Sequence, residues 1–70
     1  MFVSFTARIH RVYRADGTLA FEFVRVPSRA LEYIDEYSIG EFPSIIRLDD
    51  VPNEVFVDVS ENYAKVTIEL

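Results

Sequence analysis

The last sixteen residues constrain the fold more than any other part of the chain. Val55, Val57 and Val59 alternate with Phe56 and Asp58, and after Ser60-Glu61-Asn62-Tyr63 the residues Ala64, Val66, Ile68 and Leu70 alternate with Lys65, Thr67 and Glu69. A period of two with one apolar face defines a half-buried strand, and two such runs around a short polar connection define an antiparallel hairpin. Matching the apolar sets pairs Val59 with Ala64, Val57 with Val66 and Val55 with Ile68. The other face then carries Phe56 opposite Thr67 and Asp58 opposite Lys65. An opposite-charge pair produced by a register chosen on hydrophobicity supports that register independently.

The N-terminal segment reads as a second hairpin. Phe5, Ala7, Ile9 and Tyr13 share one parity, and Thr6, Arg8, His10 and Arg14 share the other. Asp16-Gly17 supplies a turn, after which Leu19, Phe21 and Phe23 alternate with Ala20, Glu22 and Val24. A two-residue Asp-Gly loop would set Val12 against Phe21 and His10 against Phe23, mixing polar and apolar on both faces. A three-residue loop, Ala15-Asp16-Gly17 with Gly17 at positive φ, pairs Tyr13 with Leu19 and Ile9 with Phe23. The second register collects the apolar residues on one face, with Arg11 as the exception, and sets His10 opposite Glu22. It is the preferred one, because a one-residue slip turns every side chain over. Phe2, Val12, Val24 and Val26 remain outside that face, so apolar surface is in excess.

Between the hairpins the period changes. Pro27-Ser28 closes a strand, Ser28 suits an N-cap, and Ala30, Leu31, Ile34 and Tyr37 recur at helical spacing before Gly40, a natural residue to follow a helix. Glu32, Asp35 and Glu36 fall on the opposite side. The segment predicts an amphipathic helix of about ten residues, too short to be stable without docking on a sheet. An additional barrel strand over 30–39 is the rival reading. Ser44–Leu48 forms a short strand, and Pro52-Asn53 suits the centre of a β-turn. The expected fold is α+β: a small antiparallel sheet of about five strands, in the order β-β-α-β-β-β, with one helix packed on one face. Residues 1–70 are expected to form a single compact domain with a radius of gyration of about 11 Å and a thin core. The chain has no cysteine to staple that core.

The formal charge of −5 is unevenly spread. Residues 1–31 hold five arginines against Asp16 and Glu22, a net of +3, whereas residues 32–70 hold Arg47 and Lys65 against ten carboxylates, a net of −8. Arg8, Arg11, Arg14 and Arg25 are the candidate nucleic-acid residues in the basic half. Direct contact with a polyanion is disfavoured on two grounds: the net charge opposes it, and the hairpin's rings are expected to point inward, which removes a stacking platform. The acidic half offers a protein-binding surface, with Phe56 as an aromatic anchor among Glu54, Asp58 and Glu69 and with Glu32, Asp35 and Glu36 adding negative charge.

Catalysis finds no support. His10 is the sole histidine, Gly17 and Gly40 stand alone, and no nucleophile, cofactor or metal motif is present. The carboxylates Asp49, Asp50, Glu54 and Asp58 near one turn lack the spacing of a calcium loop. No apolar run is long enough to span a bilayer, and the first residues lack the features of a secretory signal, so a cytoplasmic protein is expected. In size and composition the chain resembles small phage- or plasmid-encoded proteins that bind and inhibit a larger host complex. The expected function is a non-enzymatic, acidic protein-binding module without cofactors, whose partner is a larger protein or nucleoprotein complex with a basic surface. A nucleic-acid-associated protein is one alternative. A self-associating subunit is the other, with the last strand as an exposed edge that pairs in a homodimer.

Overall fold

The structure is a computed structural model that describes residues 1–37 and 41–70. Its elements are β1 (Phe2–Arg8), β2 (His10–Tyr13), β3 (Leu19–Arg25), α1 (Ser28–Tyr37), β4 (Ile45–Arg47), β5 (Val55–Val59) and β6 (Tyr63–Glu69). The fold is α+β with a short helix, but the strands form two sheets rather than one. Sheet A has the order β1-β6-β5 and sheet B the order β2-β3-β4, each antiparallel throughout.

The expected first strand divides between the sheets because it outruns its partner. β1 pairs with β6 from Phe2↔Glu69 to Arg8↔Tyr63, and the Ile9 N–H donates to the Asn62 carbonyl at 2.9 Å. There β6 ends in the turn that leads back to β5, and the next residues, as β2, pair with β3 instead. The C-terminal strand is therefore central in sheet A, with β1 on one side and β5 on the other. This corrects the expectation that it would be an edge. The β5–β6 register is the one read from the sequence, with Val55↔Ile68, Val57↔Val66, Val59↔Ala64 and Asp58↔Lys65.

The first hairpin has the expected loop and an unexpected continuation. Arg14 N–H donates to Thr18 O at 2.7 Å, Gly17 N–H donates to Arg14 O at 2.9 Å, and Gly17 sits at φ 88°. Asp16 Oδ1 accepts from the Thr18 N–H at 3.0 Å and from its hydroxyl at 2.6 Å. Tyr13 pairs with Leu19 as predicted, but Val12 pairs with Phe21, which leaves Ala20 as the extra residue of a β-bulge. The remaining pairs shift by one. Arg11, not His10, faces Glu22, and His10 faces Phe23.

That shift accompanies an inversion of the expected faces on β3. Val24 and Val26, at 0% and 7% exposure, point into the core, while Phe21 and Phe23 are only half-buried on the outside. The completely packed interior consists of Ile9, Val24, Val26, Ile34, Ile46, Val55, Ala64, Val66 and Ile68. Every member is aliphatic. A layer this thin accommodates branched aliphatic side chains, and the rings lie at its rim or outside it.

Helix α1 spans ten residues, which removes the barrel-strand alternative for this segment. Its first acceptor is the Pro27 carbonyl, bonded to Leu31 N–H at 2.9 Å, one residue ahead of the expected cap. Ile34 is buried, and Ala30 and Leu31 pack against the core. Tyr37, expected inside, is 53% exposed and packs on Tyr33 with ring centroids 4.8 Å apart. The expected helix stop at Gly40 lies outside the described residues. The turn before β5 is closed by Val55 N–H on Pro52 O at 3.0 Å, so Asn53-Glu54 occupy its centre rather than Pro52-Asn53. The molecule measures 42 × 23 × 21 Å with a radius of gyration of 12.8 Å. It is more elongated than a compact chain of this length, for which about 11 Å is expected.

Candidate binding surfaces

Strand alternation gives each sheet one face toward the core and one toward solvent. On the solvent face of sheet B, cross-strand register brings His10, Phe23 and Arg47 into one row, with Val12 and Phe21 in the next row and Arg25 and Ile45 on the far side. The His10 ring stacks on Phe23 at 5.1 Å and 16°, and Phe21 lies 6.0 Å from Phe23. The Arg47 guanidinium sits 4.4 Å from the centroid of Phe21, and that of Arg25 lies 5.7 Å from Phe23. Arg47 is also held by Asp49 through two parallel bonds, Nε to Oδ1 at 3.0 Å and Nη2 to Oδ2 at 2.8 Å. The hydrogen bond from Arg47 lowers the Asp49 carboxyl below its ordinary value near 3.8, and the same bond raises the Arg47 guanidinium. This face is thus a row of rings edged by cations, one of them already neutralised. Its charge is low.

Sheet A presents a different face. Phe56, at 54% exposure, projects outward as the sequence implies, in a row with Thr67 and Ser4, whose hydroxyls bond at 3.1 Å. Asp58 faces Lys65 in the next row, and Glu69 and Glu54 lie beyond Phe56 on the other side. A shallow depression is lined by Phe56, Val57, Asp58, Lys65 and Thr67. The seven residues read as one acidic surface do not come together. α1 packs against the core through Ile34, so Glu32, Asp35 and Glu36 are exposed on the helix, across the sheet from Phe56, Glu54, Asp58 and Glu69.

The four candidate nucleic-acid arginines are also dispersed. Arg8 lies over the Tyr63 ring at 5.9 Å on the outside of sheet A. Arg11 is tied to Glu22 Oε1 at 2.8 Å and donates to the Glu61 carbonyl at 2.6 Å, which links the first hairpin to the β5–β6 turn. Arg14 donates to the Leu19 carbonyl at 2.8 Å at the hairpin tip. Only Arg25 joins the aromatic face. The sequence disfavours nucleic acid partly because it places the hairpin's rings inside. The rings on β3 lie outside, so that ground falls, whereas the four arginines do not converge on one surface, and phosphate contacts dominate such affinity.

The sequence alone does not single out His10, Phe21, Phe23 and Arg47 as a binding surface. The signal for them lies in Val24 and Val26, two β-branched residues of the opposite parity that a single inward face of rings does not accommodate. Among the described residues no three His, Cys, Asp or Glu side chains converge as a metal site would require, and no helix is long and apolar enough to cross a membrane. Comparison with known proteins finds no matching family model, no matching curated protein and no matching solved structure.

Proposed function

We propose that this protein is a non-enzymatic module that binds a larger protein and acts by occupancy. The observation that carries this reading is the solvent face of sheet B, where His10, Phe21 and Phe23 form one continuous ring surface beside Arg25 and Arg47. Aromatic residues and arginine are enriched at the energetic centres of protein interfaces, and lysine and glutamate are depleted there. The rings are held by a rigid sheet, so little ordering entropy is lost on binding. The partner fits if it offers apolar side chains to the rings and a carboxylate to Arg25.

A second reading rests on Phe56. Its position among Glu54, Asp58 and Glu69 fits a partner with a basic surface, including one that otherwise binds nucleic acid, and an inhibitor of the phage or plasmid type would act in that way. The two readings separate in one experiment: affinity capture from the native host with the tagged full chain, repeated with Phe23→Ala and Phe56→Ala, each checked for an unchanged melting curve. Loss of the captured partner with Phe23→Ala alone is the expected result. Loss with Phe56→Ala alone moves the site to sheet A, and retention by both variants overturns the module as described. Mobility-shift assays at low salt are expected to be negative. A positive shift that weakens steeply with salt would restore the arginine reading.

A further inference from the structure

We infer that β5 is a self-recognition edge, along which two copies of the chain join antiparallel about a two-fold axis. The inference is independent of the aromatic face of sheet B, because it uses the rim of sheet A.

The backbone supports it first. β5 lies at the end of its sheet. Glu69 N–H donates to Glu54 O, and Ser60 N–H to Tyr63 O, each at 2.9 Å, so the even-numbered residues of this segment are the ones hydrogen-bonded to β6. The N–H and C=O groups of Val57 and Val59 therefore point away from the sheet, and among the described residues no backbone group receives them. Val55 N–H is already bonded to Pro52 O, but its carbonyl is free to accept. Val59 is 55% exposed although its parity is that of the core face.

The side chains then select one register. With the two-fold axis within the interior of β5, two copies can share this edge with their outward groups opposed in three ways, centred on residue 56, 57 or 58. Centring on Phe56 sets Asp58 against Glu54 of the other copy, and centring on Asp58 sets the two Asp58 side chains against each other. Like charges directly opposite are destabilising. Centring on Val57 sets Phe56 against Asp58 and Glu54 against Ser60, with no carboxylate facing another. In that register Val57 exchanges both hydrogen bonds with its counterpart, and Val59 N–H donates to Val55 O in each direction. Val55 N–H, already bonded to Pro52 O, does not return a bond to Val59 O, so the two copies share four backbone bonds and each Val59 carbonyl stays open to water. The result is a continuous six-stranded sheet in which the exposed Val59 lies beside Val55 of the other copy.

Sedimentation of the isolated full chain over a concentration series tests this, and the expected mass at high concentration is twice 8.1 kDa. Val57→Pro removes the central outward N–H without touching the ladder to β6, and proline is tolerated on an edge in that orientation. A folded Val57→Pro variant is expected to sediment as a monomer. Register is read separately by cross-linking, since the chain has no cysteine of its own. Under mild oxidation Val57→Cys is expected to form a covalent dimer, with Cα atoms about 5.5 Å apart as in a hydrogen-bonded pair. Phe56→Cys and Asp58→Cys are expected to stay monomeric, with separations of about 7–8 Å. A wild-type chain that stays monomeric throughout overturns the proposal. So does a dimer undiminished in folded Val57→Pro, or cross-linking at 56 or 58 in place of 57.

Discussion

Sheets A and B are each three antiparallel strands, yet their central strands are built on different principles. In β6 the side chains Ala64, Val66 and Ile68 are fully buried, while Tyr63, Lys65 and Glu69 face water. In β3 both faces are apolar, with Val24 inside and Phe21 and Phe23 outside. A one-sided strand has its orientation fixed by its own pattern, because a slip would bury lysine and glutamate. A two-sided strand is oriented by what packs on it. Here sheet A and α1 offer a narrow aliphatic layer, which Val24 and Val26 fit. The rings left outside the core form a half-buried row on the solvent face of sheet B, beside the exposed Val12 and Ile45, and the proposed partner site rests on that apolar surface.

The sharpest way to break this contrast is to place a charge on each face of β3 in turn. Val24→Asp puts a carboxylate at a site with 0% exposure. An unpaired buried charge costs several kcal/mol, comparable to the roughly 3–5 kcal/mol that a core of this size supplies. Loss of the cooperative urea transition is the expected outcome. Phe23→Asp, one residue away, is expected to keep the transition with its midpoint only modestly lowered. If the ranking reversed, the rings would be the core and the aromatic face would not exist.

The same contrast explains how far the fold can be read from the residues. The β5–β6 register follows from alternation and is confirmed by the opposed Asp58 and Lys65. Asp16-Gly17 marks the turn, and the preference for a three-residue loop comes from sorting the apolar side chains onto one face. The loop is as expected, with Gly17 at φ 88°, although the faces on β3 are inverted. The bulge at Ala20 leaves no such trace, since a small residue in a strand announces nothing, and every pair beyond it moves. Nor does local pattern reveal that Phe2 pairs with Glu69, the contact that makes β6 central and leaves β5 as the edge. The candidate site divides along the same line. Phe56 is legible as an outward aromatic because it lies on a one-sided strand. Phe21 and Phe23 are not, because they lie on a two-sided one.

A smaller effect tests the device that sets the hairpin of sheet B. Gly17 has φ 88°, and a Cβ built there meets nothing within 4 Å. Gly17→Ala therefore isolates the conformational cost, about 1–2 kcal/mol for an L-residue in the left-handed region. In a domain of this size each kcal/mol corresponds to roughly 4–8 °C in melting temperature, so a drop of that order is expected by calorimetry. An unchanged melting point would mean that the loop relaxes to another turn type. The bulge, and with it the outward placement of Phe21, would then not depend on Gly17.

The smallest expected effect is electrostatic and also falls on sheet B. Two carboxyls lie below the ordinary value near 3.8: Asp16, through hydrogen bonds from the Thr18 hydroxyl and N–H, and Asp49, through that from Arg47. Asp16 fixes the hairpin tip, and Asp49 holds the guanidinium that lies on Phe21. A carboxyl lowered in the folded state stabilises the fold fully above its unfolded value, and that contribution disappears as pH falls through the folded value. Both groups are exposed, so the contribution is small and weakens with added salt. The urea midpoint should fall as pH drops below about 3.8, and Asp49→Asn should flatten part of that slope while lowering the midpoint at neutral pH. Amide exchange distinguishes the sheets. On acidification, protection should decline first in β2, β3 and β4, where both carboxyls act, and last in β6. Simultaneous loss in the two sheets would mean that they unfold as one unit, with the aromatic face as rigid as the aliphatic core behind it.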